Sequence, residues 1–374
     1  MTLNNHILRA SFRSFLKQPV PSGFLVLAVN WWCFLLVPTA VWAQSASLPK
    51  VTPWPQDRMA AISLTFDDGT PSHLDVAGSI LKKHHLNGTF YVVTGNETWR
   101  RRLDDWRRMA AEGNEIGSHT VHHPCLLPQI KPNSQGYTPE MMRAEAGDSA
   151  QEITARLGVQ RGLTFAYPCA TMTFGPPADQ VRNEVLYLGY VAEFYFAARE
   201  DHGVPVNPPE LSPLTVHGLG RTVGIDFPHL LALMEPAVQT HQWGVLTFHG
   251  VGGDGLSVTR EVFENLASYL EQHSEIWCAT FGDVVRYIQE RKALEVRATE
   301  TDNRRVQFAL TWPLDPKIYD LPLTLKWELP SDWTDCRAEA DGHPLVLSMS
   351  TGSSPRTALV ELPPHTKVLK FEAK

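Results

Sequence analysis

Short β-rich runs alternate with helical stretches over most of the chain, and this alternation limits the folds that it can adopt. The β-rich runs lie at 61–66, 88–94, 115–118, 162–166, 190–195 and 244–248. Strand and helix repeated in this order indicate a parallel sheet or barrel, because parallel strands need long crossover connections. The chain has 374 residues, 43% of them hydrophobic, which is enough for two domains.

The pattern changes near Leu294. From there, hydrophobic and polar residues alternate over 306–312 and 323–329, with proline and glycine clusters between the two runs. A period of two and turn residues of this kind predict a small antiparallel β-sandwich. We therefore expect a linker at 44–59, an α/β domain at 60–292 and a C-terminal sandwich at 293–374.

The first 43 residues predict a signal peptide or an N-terminal anchor. Arg9, Arg13 and Lys17 precede the apolar run 24–43, which ends in Val-Trp-Ala before Gln44. A basic region, an apolar region and a small residue at the end are typical of a secretory signal. If the segment is not cleaved, it would be the only contact with a membrane. We expect a secreted, periplasmic or cell-envelope protein.

The charge of the chain bears on its partners. The formal net charge is −7 and the isoelectric point is about 6.1. Binding to nucleic acid needs a basic surface that neutralises phosphates, so we expect no nucleic-acid partner.

Two clusters of polar residues follow predicted strands. Asp67 and Asp68 end the first run, and His119 and His123 come directly after the third. Ligand sites of parallel α/β folds gather at the carboxyl ends of strands. The two histidines would share a face if they lay on one helical turn. With one carboxylate they make a three-ligand set, which leaves a coordination position for water, as catalytic zinc requires.

Each cluster also has an ordinary interpretation. Asp-Gly is a common turn signal, and a histidine pair four residues apart often belongs to a solvated helix face. The same ligand set serves non-haem iron oxygenases, but their antiparallel sheets do not match the strand–helix alternation. A zincin would need glutamate at the position of Thr120.

Four motifs in a fixed order resemble those of the polysaccharide deacetylase family, the NodB-homology carbohydrate esterases of family 4. The motifs are TFDDG (65–69), SHTVHHP (118–124), TFAYPC (164–169) and LTFHG (246–250). The resemblance covers roughly residues 60–291. It implies a distorted (β/α)7 barrel and metal-dependent hydrolysis of acetyl groups on N-acetylated, occasionally O-acetylated, sugars.

The resemblance also implies a role for each motif residue. Asp68, His119 and His123 would hold Zn²⁺ or another divalent transition metal. Asp67 would be the general base that takes a proton from the hydrolytic water, and His249 the general acid that protonates the leaving amine. The backbone N–H of Cys169 falls where the family places its oxyanion donor. The implied partner is an acetylated glycan.

The third motif departs from the family pattern. Many members have an arginine that contacts the base carboxylate, and here Ala166 takes that place, with Cys169 at an aromatic position. Two interpretations of Arg199 stay open. It reaches the base from the end of the next strand, or it lies on the surface beside Glu200.

Two further expectations concern the loops at this face of the barrel. Cys125 follows the histidine motif and Cys169 follows Tyr-Pro, and we predict that they form a disulfide. His73 and His217 are near predicted loops of the same face, where each either contacts substrate or is simply solvated.

Three functions remain in competition. The first is a secreted deacetylase of an acetylated polysaccharide or oligosaccharide. The second keeps the fold and the metal but hydrolyses another C–N bond, such as that of a cyclic imide. The third is a catalytically weak carbohydrate-binding protein, which the missing arginine and the appended sandwich favour. Against the third, all five metal and acid–base positions are filled.

Overall fold

A computed structural model describes residues 47–158, 161–200, 207, 212–218, 222–350 and 355–374. The expected signal segment lies outside the described residues. The strands are β1 (Lys50–Val51), β2 (Ala60–Phe66), β3 (Thr89–Val92), β4 (Glu115–Ser118), β5 (Thr164–Ala166), β6 (Ala197–Glu200), β7 (Val216–His217), β8 (Trp243–Phe248), β9 (Gly250–Val251), β10 (Ser257–Val258), β11 (Ile276–Cys278), β12 (Glu295–Thr301), β13 (Arg305–Thr311), β14 (Leu323–Glu328), β15 (Cys336–Ala340), β16 (His343–Leu345), β17 (Leu347–Met349), β18 (Thr357–Leu362) and β19 (Val368–Ala373).

The helices are α1 (Gly78–Lys83), α2 (Glu97–Arg101), α3 (Leu103–Ala111), α4 (Pro139–Leu157), α5 (Gln180–Phe194), α6 (Phe227–Gln239), α7 (Arg260–Gln272) and α8 (Phe281–Ala293). A π-helical turn, His73–Ala77, leads into α1. Hydroxyl side chains cap several helices at their first residues. At α7, for example, the Thr259 hydroxyl accepts from the N–H of Val262, which is the usual role of a threonine cap. Across the residues that the structure describes, no helix is long and apolar enough to cross a bilayer.

Parallel strands β2 to β8 form a nearly closed barrel. β2 pairs with β3 on one side and with β8 along Ala61–Phe66 on the other, and β3 to β7 follow in chain order. Asn207 joins β7 to β8, because its N–H donates to the Trp243 carbonyl and its side chain exchanges two hydrogen bonds with the backbone of His217. The fold is therefore the distorted seven-stranded barrel that the motifs implied.

Alternation along β2 separates the two sides of the barrel wall. Ile62, Leu64 and Phe66 belong to the large core under the surrounding helices. Ser63 and Thr65 instead make polar contacts across the interior, to Trp243 and Arg199. Because side chains of a strand alternate in direction, the residue after Phe66 returns to the interior. That residue is Asp67.

Helix α8 closes the end of the barrel where the strands begin. Backbone N–H groups at its N-terminus donate hydrogen bonds to barrel side chains: that of Phe281 to the Thr89 hydroxyl and that of Gly282 to the Glu115 carboxylate. Buried residues of α8 such as Val284 and Tyr287 pack in one cluster with the inward residues of the barrel. The opposite end, where the strands finish, is left for the site.

The C-terminal region is a sandwich of two antiparallel sheets, as predicted. One sheet has the order β1-β14-β18-β17 and the other β12-β13-β19-β15-β16. Alternate residues of these strands meet in one core, where Trp327 stacks on Phe371 with ring centroids 4.3 Å apart. The segment expected as a linker supplies β1, so residues that precede the barrel in sequence complete a sheet of the sandwich.

The predicted strand at 190–195 is wrong. Helix α5 continues to Phe194, and the strand follows as β6. The run is rich in β-formers, but Asn183, Tyr187 and Val191 are buried at helical spacing. Packing of this face against α4 outweighs the β propensity of the individual residues.

Candidate active site

Asp67 and His249 lie next to each other at the ends of paired strands. Phe66 and Phe248 are register partners in β2 and β8, and the two residues follow them directly. The N–H of Asp67 donates to the Phe248 carbonyl at 2.8 Å, which extends the pairing by one step. The strand register therefore brings together the sequence-predicted base and acid.

Asp68, His119 and His123 also converge at this end of the barrel. Asp68 Oδ1 is 3.8 Å from His119 Nε2 and 3.6 Å from His123 Nε2, and one ligand atom of each residue lies within 4.8 Å of the others. Ligand atoms about 2 Å from a shared tetrahedral ion have separations of this order. Within the part of the chain that the structure describes, this is the one group of three such side chains able to hold a metal ion.

The tautomer of His119 suits a metal ligand. Its Nδ1 donates to the Ala166 carbonyl at 2.8 Å, which leaves the lone pair on Nε2, the atom that faces Asp68. Burial lowers the pKa of His119 to about 4, so the ring is neutral at physiological pH. A hydrogen bond from the second nitrogen to a backbone carbonyl is the usual way of orienting a ligand histidine.

The histidine motif is not a helical turn. Residues 119–124 form an irregular loop in which Thr120 and His123 have positive φ of 68° and 57°. The two imidazoles meet all the same, with centroids 4.7 Å apart. Asp68, with φ of 75°, is strained in the same way. Non-glycine residues seldom adopt this region, and such strain gathers at functional sites.

Glu145 of α4 fixes this loop through hydrogen bonds, a role that the sequence analysis did not predict. One carboxylate oxygen accepts from the N–H groups of Val121 and His122 at 3.0 and 2.9 Å, and the other accepts from His122 Nδ1 and the Tyr137 hydroxyl. A signal was present in the sequence: Glu145 is a charged residue within the buried stripe of α4, between Met142 and Ala146. A buried charge of this kind needs partners.

Arg199 reaches Asp67 across the interior of the barrel. Arg199 Nη2 donates to Asp67 Oδ2 at 2.5 Å, and Nη1 donates to the hydroxyls of Thr65 and Thr247 at 2.8 and 2.6 Å. The side chain is 1% exposed and lies over the Tyr91 ring. The surface interpretation of Arg199 is wrong. Its guanidinium from β6 occupies the role of the arginine that the third motif lacks.

The charge of Asp67 follows from these contacts. Burial alone would raise the pKa of its carboxyl, but Arg199, with His119 and His249, lowers that pKa to about 2. Asp67 Oδ1 is buried and has no hydrogen-bond partner among the described residues. One carboxylate oxygen is thus held by Arg199, and the other is free to accept a proton.

A disulfide joins the loops that carry the second and third motifs. Cys125 and Cys169 are bonded, with Cα atoms 6.1 Å apart, as predicted. Cys169 lies in a short 3₁₀ turn that follows β5, with φ of 54°. The turn predicted to supply the oxyanion donor is therefore tied to the loop of His119 and His123.

The structure also places the two other histidines. The His73 side chain is fully buried. It is therefore neither solvated nor open to contact with substrate, and neither predicted alternative holds for it. His217 pairs with Glu200 through Nδ1. Both histidines therefore have protein partners rather than a purely solvated environment.

Comparison with known proteins agrees with the motifs. A family model described as Polysaccharide deacetylase matches residues 56–192. The chain is 32% identical over 145 residues to the peptidoglycan-N-acetylmuramic acid deacetylase PdaA of Bacillus subtilis (strain 168), a match of 37% of this chain and 48% of that protein. It is 27% identical over 351 residues to a gellan lyase of a Bacillus species, which covers 86% of this chain but 13% of the lyase.

Among solved structures, the chain is similar to a probable polysaccharide deacetylase from Pseudomonas aeruginosa PAO1. The TM-score is 0.45 at 13% identity, over 63% of this chain and 93% of that one. The chain spans less than half the length of both curated relatives. The residues that the family model matches, 56–192, include the motifs that end β2, β4 and β5, so the predicted resemblance of these motifs to the polysaccharide deacetylase family is confirmed.

Proposed function

We propose that this protein is an exported, metal-dependent deacetylase of an acetylated glycan, in which Asp67 is the base and His249 the acid. The observation that carries the proposal is the convergence of Asp68, His119 and His123 beside a carboxylate held by Arg199. A binding protein without catalysis has no need to keep a buried aspartate ionised next to three side chains able to hold a metal ion.

The donor set fits a divalent transition metal. Two imidazoles and one carboxylate are ligands that Zn²⁺ accepts in catalytic sites. When bound, the ion would act as a Lewis acid and lower the pKa of a coordinated water toward 7, so that even a weakly basic carboxylate can remove its proton.

The remaining steps belong to residues of the chain. Asp67 Oδ1 accepts a proton from the water that attacks the acetyl carbonyl carbon, while Arg199 keeps Oδ2 in place. The N–H of Cys169 stabilises the negative charge on the carbonyl oxygen. His249 then donates its proton to the amine nitrogen as the C–N bond breaks, and acetate and a free amino sugar leave.

Acetate release tests the proposal directly. Purified protein is incubated with chitooligosaccharides and with peptidoglycan, and acetate is measured before and after chelation and after addition of Zn²⁺. We expect release that the chelator abolishes and Zn²⁺ restores. Binding of the glycan without release of acetate would favour the carbohydrate-binding alternative, and ring opening of a cyclic imide to its half-amide would favour the other hydrolase.

The match to a gellan lyase adds one alternative to the assay. A lyase breaks a glycosidic bond by β-elimination and leaves an unsaturated uronate, which absorbs in the ultraviolet. The same reactions are therefore followed for absorbance and for chain length. We expect neither change on gellan, because Asp67 and the ligand set are arranged for attack by water.

A further inference from the structure

Outside the residues with an assigned role, the most unusual buried group is His73. It lies in the π-helical turn that follows the first motif and is fully buried. Its ring packs against Phe66 and Phe90, with centroids 5.5 Å away in each case. An apolar side chain would fill such a space with no polar atom to satisfy.

Among the described residues, the His73 ring makes one hydrogen bond, and its partner is the residue proposed as the acid. His73 Nε2 donates to the backbone carbonyl of His249. Because a carbonyl only accepts, Nε2 carries the hydrogen. Nδ1 is buried and has no partner among the residues that the structure describes. Burial lowers the pKa of His73 to about 4, so the ring stays neutral and keeps this single donor.

Two more hydrogen bonds join the same segments. The N–H of Val251 donates to Ser72 Oγ at 3.0 Å, and the N–H of Ser72 donates to Asp254 Oδ2 at 2.8 Å. Residues 72–73 therefore contact the segment 249–254 at three points, two of them on its backbone. His249 Nδ1 is buried with no hydrogen-bond partner in the described ranges. With no hydrogen bond at Nδ1, the position of the imidazole depends more on the position of its backbone.

We infer that His73 is a positioning residue for the acid step, which fixes the backbone of His249 so that its imidazole meets the leaving amine. The inference rests on the proposed deacetylase function. It assigns to His73 no contact with substrate and no proton transfer. A displacement of about 1 Å at a catalytic group costs on the order of 100-fold in rate, so a lost hydrogen bond behind the acid is enough to slow the reaction.

The test compares two leaving groups. Cleavage of an N-acetyl sugar needs the acid, because an amine leaves only when protonated, whereas an aryl acetate releases a phenolate that needs no proton. In the His73→Leu variant we expect kcat for the N-acetyl sugar to fall roughly 10- to 100-fold with KM nearly unchanged. Turnover of the aryl acetate and the metal content should match the wild type.

Two further variants make the comparison sharper. His73→Gln keeps an amide donor at a similar reach and should recover most of the N-acetyl activity. His273→Leu is the matched control, since His273 also donates to a backbone carbonyl, that of Tyr269, at the end of α7. It should leave both activities unchanged.

The outcomes separate the inference from the proposed function. A wild type that releases no acetate contradicts the function. An active wild type with equal losses on both substrates in His73→Leu, or with no loss on either, overturns the inference. Imidazole ¹⁵N NMR gives a readout that needs no activity: His73 should be the neutral Nε2–H form, and His249 resonances should move in His73→Leu. Unmoved His249 resonances would also overturn it.

Discussion

Two carboxylates at opposite ends of the same barrel have opposite pKa shifts. Asp67 follows the last residue of β2, and Arg199 with the nearby histidines lowers its pKa to about 2. Glu115 begins β4, and burial raises its pKa although Arg286 lies nearby. The difference is in the direct donors: a guanidinium at Asp67, but two hydroxyls and one backbone N–H at Glu115.

The comparison shows how one scaffold separates chemistry from stability. A guanidinium in direct contact keeps a buried carboxylate charged. Neutral donors satisfy the oxygens of Glu115 and anchor the N-terminus of α8 without requiring the charged form. The open end of the barrel holds the ionised carboxylate that we propose as the base, and the closed end holds a structural carboxyl.

The largest expected effect is that of Asp67→Asn. The amide keeps the size of the side chain but cannot take a proton, so we expect kcat to fall by roughly 10²- to 10⁴-fold. The metal content, measured on the same preparation, should be unchanged, because Asp67 is not one of the three ligands. Glu115→Gln at the closed end is the matched control and should keep near-normal turnover. Full turnover of Asp67→Asn would refute the base assignment.

The next effect is that of Arg199→Met, which removes the charge partner and keeps a side chain about as long as the aliphatic part of arginine. The buried Asp67 carboxylate is left uncompensated, at a cost of about 3–5 kcal/mol in the free energy of unfolding. Its pKa rises, so the acid limb of the pH profile of kcat/KM should move to higher pH. Urea unfolding and the pH profile measure the two effects.

Arg199→Lys separates charge from geometry. A lysine keeps the positive charge but cannot serve Asp67, Thr65 and Thr247 in the planar arrangement that Arg199 uses. We expect a partial loss of activity and a smaller shift of the acid limb than for Arg199→Met. An acid limb that stays in place in both variants would show that Arg199 does not set the charge of Asp67.

The disulfide offers a third test of the open end. Cys125→Ser removes the link between the histidine loop and the turn of Cys169, and we expect a loss of about 2–4 kcal/mol in the free energy of unfolding. Activity should fall more than in Cys278→Ser, because Cys278 is a free thiol of β11, at the closed end. Equal behaviour of the two variants would show that the bond does not brace the site.

The sequence predicted the site better than the secondary structure around it. Asp67, Asp68, His119, His123 and His249 follow strand ends, and parallel strands must bring their ends to one edge. The run 190–195 was misassigned, because its β-formers lie on a helix whose buried face is set by packing with α4. Local propensity cannot show which partner a segment will meet.

Contacts between segments that are distant along the chain could not be predicted from the sequence. Nothing in the sequence around Arg199 distinguishes a surface side chain from one that crosses the barrel, since this depends on which strands lie opposite β6 in the closed barrel. Glu145 and His73 were missed or misjudged for the same reason: Glu145 holds the backbone of His122, 23 residues away, and His73 contacts His249, 176 residues away along the chain. The buried position of Glu145 in the apolar stripe of α4 was the only local signal.

The smallest expected effect is the pH dependence that Glu115 gives to stability. Its folded-state pKa lies above the ordinary value of 4.5, so between these two pH values the folded protein binds more protons than the unfolded chain. The free energy of unfolding must then fall as pH rises through that window.

The control is Glu115→Gln, which does not titrate at this position. Its amide can still accept from the N–H of Gly282 and donate to the Thr164 hydroxyl. The melting temperature of the wild type should therefore fall relative to Glu115→Gln as pH rises above 4.5. Parallel curves for the two proteins would mean that Glu115 is charged in the folded state, as Asp67 is, and the contrast between the two ends of the barrel would not hold.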